Sequence, residues 1–122
     1  MRDIKFRAWD TENGYFKPLE DDGDYYFRDD GDGLRLHDKW GECKGTTLLQ
    51  YTDLKDKNGK DIYEGDIVDC DGTIYFCKWN IRRCEFAWYS AKNSDYVYPI
   101  GDCRSNLIVI GNIYENPELI KQ

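Results

Sequence analysis

The feature that most restricts how this chain folds is the period of its apolar residues. They alternate with polar ones in short runs, and each run ends at a turn bearing glycine, asparagine or aspartate. No stretch of a dozen residues has the spacing of an amphipathic helix. Strands returning at short intervals are the pattern of sandwiches and small barrels.

The first run sets Ile4, Phe6 and Ala8 against Lys5, Arg7 and Trp9, with Trp9 breaking the polar face. Thr11 to Gly14 supplies turn residues, and Tyr15-Phe16 returns as a hairpin that Pro18 confines to an edge or an early stop. Tyr25-Tyr26-Phe27 and Leu34 to His37 read as further strands. The stretch from Trp40 to Gly45 is weakly patterned and is expected to join two subregions, 1–45 and 46–122, of one domain.

Thr47 to Tyr51 predicts a strand. Asn58-Gly59 predicts a hairpin in which both residues take positive φ. Gly65, between two acids, predicts a sharp redirection into a strand over Asp66–Cys70. Asp71-Gly72 predicts a second primed turn into Thr73–Trp79, where Tyr75, Cys77 and Trp79 share one face, and the pattern resumes over Cys84–Tyr89. Leu107 to Ile110 is continuously apolar, which predicts a strand buried on both faces, with Gly111 marking a bulge. Asn116-Pro117 predicts a capped start to a final helical turn.

The fold expected is therefore mainly β: a small barrel-like or sandwich unit, an N-terminal β layer and a short C-terminal helical turn. The 122 residues suit one domain, and 19 aromatic side chains among 41 charged ones (17 basic, 24 acidic) separate it from disordered acidic chains, which are poor in aromatics. The first residues lack the apolar run of a signal peptide and no run is long enough to span a bilayer, so a bacterial cytoplasmic location and no membrane are expected. Five cysteines in that reducing setting are expected as thiols. The net charge of −7 argues against non-specific binding of nucleic acid, which lysine and arginine drive.

Candidate chemistry is sparse. Asp22, Asp24, Asp29, Asp30 and Asp32 offer hard oxygen ligands, but the twelfth residue from Asp29 or Asp30 is Trp40 or Gly41, not the glutamate of a calcium loop. Cys70, Cys77 and Cys84, with Cys103 or His37, lack the close pair of a zinc knuckle, and Cys77 is expected in the core. Cys43 with His37 is the one nucleophile–base pair available, although His37 beside Asp38 and Lys39 is expected at the surface. Arg82 and Arg83 among Trp79, Phe86, Trp88 and Tyr89 could stack bases, but an ordinary β core with a charged loop is the favoured reading. Nucleotide and zinc-hydrolase motifs are absent. No catalytic, cofactor-binding or metal residue is assigned, no cofactor is expected, and an enzyme is the less favoured reading.

Three blocks in order, MRDIKFRAWD at the start, LLQYTDLKDKNGKDIYEGDIV at 48–68 and VIGNIYENPELI at 109–120, resemble the YopX protein family of phages and prophages. Where that family commonly has Gly in Tyr-Thr-Gly-Leu this chain has Asp53, a residue that tolerates positive φ. The resemblance implies a small, mostly β protein with an SH3-like barrel element starting near Tyr63-Glu64-Gly65-Asp66, and it implies no activity. Its motif residues read as architecture. The function expected is a non-enzymatic binding or assembly module, homo-oligomeric through exposed aromatics such as Trp9, Trp88 or Tyr96, with a host or phage protein as a further partner. The alternatives are an acidic decoy of a host nucleic-acid-binding protein, using the cluster from Asp21 to Asp32, and an uncharacterised enzyme with cysteine or carboxylate chemistry.

Overall fold

The computed structural model describes residues 5–17, 19, 25–29, 31, 33–80, 82, 84–91, 97–99 and 106–120. Among them are twelve β-strands and a single 3-10 turn, so the fold is mainly β as the periodicity predicts. The chain forms two compact units, Phe6–Leu49 and Met1–Lys5 with Gln50–Gln122.

In the first unit, β1 (Phe6–Asp10) and β2 (Tyr15–Phe16) form the expected hairpin, with Trp9 opposite Phe16. Asp10 organises the turn: its Oδ1 accepts the N–H groups of Glu12 and Asn13, and its Oδ2 accepts from Asn13 Nδ2 and Lys17 Nζ. β3 (Tyr25–Asp29), β4 (Leu34–Asp38) and β5 (Gly41–Glu42) form a three-stranded sheet in that order. Two expectations change here. Trp9 is buried rather than exposed, because Phe16 packs edge-on against it at 4.8 Å, and the Trp40–Gly45 stretch contains β5.

β6 (Thr46–Lys55) passes from the first unit into the second, where it pairs with β7 (Asp61–Tyr63). Its register shifts at Thr52-Asp53, and Asp53 takes φ 70°, the conformation that glycine adopts most readily. Thr52 closes the ladder across this bulge by donating to the Ile62 carbonyl and accepting the Leu54 N–H. The β6–β7 hairpin forms, but only Gly59 has positive φ. Asn58 does not, and the loop closes through Gly59 N–H to Asp56 O and Asp56 N–H to Lys60 O, as in longer hairpin loops with one left-handed glycine.

The second unit continues as a five-stranded sheet ordered β11-β10-β9-β8-β12, with β8 Asp66–Cys70, β9 Thr73–Asn80, β10 Glu85–Ser90, β11 Val97–Pro99 and β12 Leu107–Asn112. Asp71 and Gly72 both have positive φ in the two-residue turn between β8 and β9, as expected. Gly65 has φ 90°, its N–H donates to Cys77 O, and its carbonyl accepts the Ile113 N–H. Ile62, Val68, Cys77, Phe86, Trp88 and Leu107 form the core of this unit. Trp88 is thus buried, against the expectation that it would be exposed, because its cross-strand partner Cys77 lies on the same core-facing side.

The strand at 107–110 is not buried on both faces. β12 is the edge of its sheet, and Ile108 and Ile110 are exposed while Leu107 is buried. The bulge expected at Gly111 is present. A Cβ there would lie 2.5 Å from Asn116 Oδ1, so any other residue requires the Asn116 side chain to move. That oxygen accepts the Asn112 N–H rather than capping a helix, and the chain ends in the 3-10 turn Pro117–Leu119.

Candidate functional site

The thiol and imidazole singled out as a nucleophile–base pair sit on neighbouring strands of the N-terminal sheet. His37 is opposite Glu42 and Asp38 opposite Gly41, while the Cys43 N–H donates to Leu36 O. Cross-strand partners share a face and successive residues alternate. Cys43 therefore lies with Leu36 and Asp38, and His37 lies on the other face, stacked on Tyr26 at 5.4 Å. The pair is not assembled. His37 is also buried, not at the surface, and its Nε2 has no hydrogen-bond partner among the described residues. Burial, and then the nearby Asp38 carboxylate, push the Cys43 thiol pKa up, which keeps it protonated and a poor nucleophile.

Beside Cys43 is a hollow of about 340 Å³ whose polar lining comes from Arg35, Glu42, Cys43, Lys44 and Thr46. Its two cations, Arg35 and Lys44, outnumber its one carboxylate, Glu42, so the lining carries a net positive charge.

The other candidates are dispersed or engaged in architecture. Cys77 is in the core as expected, and Cys84 sits in an exposed turn with φ 53°. Among the described residues, no group of three or more His, Cys, Asp or Glu is placed to hold a metal ion. Asp22, Asp24, Asp30, Asp32, Arg83, Tyr96 and Cys103 lie outside the described residues. Of the aromatic group around Arg82, Phe86 and Trp88 are buried, and Trp79 is exposed but packs edge-on against Phe86 at 5.1 Å. It does not form an open row of stacking rings.

The conspicuous carboxylates of the central block hold main chain. Asp56 is buried, with Oδ1 accepting the N–H groups of Asn58 and Lys60 and Oδ2 that of Val109, all at 2.9 Å. Burial alone would raise its pKa, but these bonds hold it below the ordinary value. Asp61 bridges the Lys5 and Lys55 ammonium groups, which lower its pKa. Asp66 accepts the Tyr63 N–H at the Gly65 redirection. Glu64 is the exception: burial raises its pKa, and the Gln50 backbone and Lys78 only partly reverse that. The roles of Asp56 and Asp66 were not legible beforehand. The signal was an aspartate within three residues of a turn glycine or asparagine, the pattern of a side chain that bonds local main chain.

The large apolar side chains on the surface of the N-terminal unit remain. Trp40, 84% exposed at the tip of the β4–β5 turn, lies beside Lys39, and Tyr15, Tyr26, Phe27 and Leu34 are exposed as well.

The sequence model of the YopX protein family matches residues 5–121. This chain belongs to the YopX family. The crystal structure of protein EF1440 from Enterococcus faecalis shares the fold, with a TM-score of 0.62 at 23% identity over 99% of this chain and 100% of that one. No curated protein matches the sequence significantly. Among the described residues, no helix is long and apolar enough to cross a membrane.

Proposed function

We propose that this YopX-family chain is a phage- or prophage-encoded, non-enzymatic assembly module that acts as a homo-oligomer in the bacterial cytoplasm. The observation that carries the reading is the group of exposed apolar side chains on the N-terminal unit, led by Trp40 and joined by Tyr26 and Phe27. Aromatic residues are enriched at protein interfaces. The carboxylates with the best-defined surroundings are occupied in holding turns and strand edges, and Cys43 is held as a thiol.

Size-exclusion chromatography with light scattering tests this. An oligomer that dissociates on dilution supports it, and a strict monomer at high concentration refutes it. The acidic-decoy alternative predicts instead a host partner lost entirely in high salt.

A further inference from the structure

Two of the sheet edges, β12 and β3, are treated differently in how their outward main-chain hydrogen-bonding groups are met. On β12 the outward groups are covered: the Leu107 carbonyl accepts the Lys57 N–H, and the Val109 N–H donates to Asp56. On β3 they are open. The Cys43–Leu36 bond places the main-chain groups of Leu36 toward β5, so in the β3–β4 pairing Tyr26 and Arg28 face β4, opposite His37 and Arg35. The N–H and C=O groups of Tyr25, Phe27 and Asp29 consequently point off the sheet. Among the described residues they have no main-chain hydrogen-bond partner, and Tyr26 and Phe27 are 49% and 42% exposed.

We infer that β3 is the dimerisation edge, pairing antiparallel with β3 of a second copy about a twofold axis at Phe27. This rests on the assembly reading above and names its route. The strand Tyr25-Tyr26-Phe27-Arg28-Asp29 is complementary to itself in that register. Phe27 meets Phe27 of the other copy as a hydrogen-bonded pair, Tyr25 meets Asp29, and every outward main-chain group finds a partner. The intervening pairs set Tyr26 against Arg28, a tyrosine ring against a guanidinium. An unprotected edge of this kind is a template for strand addition, and a second copy supplies the Phe27, Tyr26 and Arg28 side chains that this register pairs.

The test compares two variants of the full chain by light scattering over a concentration series. Phe27→Pro removes the outward N–H without removing a bond to β4, and proline is tolerated at such edge positions. It is expected to weaken the dimer by about tenfold or more. Phe27→Ala keeps the N–H and is expected to dimerise more tightly than Phe27→Pro. Should Phe27→Pro fold poorly, amide exchange on the wild type decides: the Phe27 amide is expected to be protected in concentrated protein and to exchange fast on dilution. A dimer unchanged by Phe27→Pro, or a Phe27 amide indifferent to concentration, overturns the β3 route while leaving oligomerisation intact. A wild-type monomer overturns both.

Discussion

The Asp56 carboxylate accepts the backbone N–H of Val109, 53 positions further along the chain. With the Lys57 to Leu107 bond beside it, the loop between β6 and β7 seals the outer edge of β12 and ties the central block of the sequence to the last strand. A family motif that looks like a local hairpin signal therefore carries a long-range closure.

Replacing Asp56 by alanine leaves the Val109, Asn58 and Lys60 N–H groups without their acceptor. The expected cost is about 3 kcal/mol, since bonds to a charged acceptor are worth more than neutral ones and part of the site is buried. Asp56→Asn retains one acceptor oxygen and is expected to lose less. Urea denaturation of both variants measures the difference, and a cost for Asp56→Ala within error of zero would show that the latch is idle.

Gly111→Ala drives a methyl group into Asn116 Oδ1. Overpacking of this kind costs roughly 1–3 kcal/mol. In an Asn116→Ala background the same substitution is expected to cost distinctly less, because the clashing oxygen is gone. A double-mutant cycle gives the coupling, and strict additivity would place the strain elsewhere.

Asp53 occupies the left-handed region at the β6 bulge. Asp53→Val, bringing a branched Cβ there, is expected to destabilise by about 1–2 kcal/mol. Asp53→Gly, the residue common in the family, is expected to shift stability by less than about 1 kcal/mol, since relief of the backbone offsets the greater freedom of the unfolded glycine. Thermal melts of the pair provide the comparison, and equal effects would remove the conformational argument.

The acid limb of stability follows from depressed carboxylates. The Asn13 side chain and backbone, with Lys17 and Glu12, lower Asp10 to a pKa of about 2, and Asp56 and Asp61 are lowered too. Their contribution is complete above the unfolded carboxylate pKa of about 4 and disappears as pH falls through the folded values. Asp10→Asn is expected to flatten the dependence in its lower part, down to about pH 2. An unchanged profile of urea midpoint against pH would contradict the assignment.

Glu64 has the opposite sign. Burial raises its folded pKa, so the fold favours the neutral form and stability is lost as pH rises through that value. Glu64→Gln is therefore expected to gain on the wild type between acidic and neutral pH. A gap between the two melting temperatures that stays constant with pH would rule this out.

Period-two patterning and turn chemistry are local properties, and what depends on them was legible from the sequence alone: the β character, the first hairpin, the Asp71-Gly72 turn, the redirection at Gly65, the bulge at Gly111 and the positive φ that Asp53 accepts. The family blocks were legible for the same reason. What the tertiary structure decided is which faces and edges are covered. Trp9 and Trp88 are buried by cross-strand neighbours, Leu107 to Ile110 lost the cover expected on one face because β12 is an edge, and Cys43 and His37 fell on opposite faces of a pleat. Strand order brings together residues far apart in the chain, as it does Asp56 and Val109, and alternation within one strand carries no information about which neighbour it will meet.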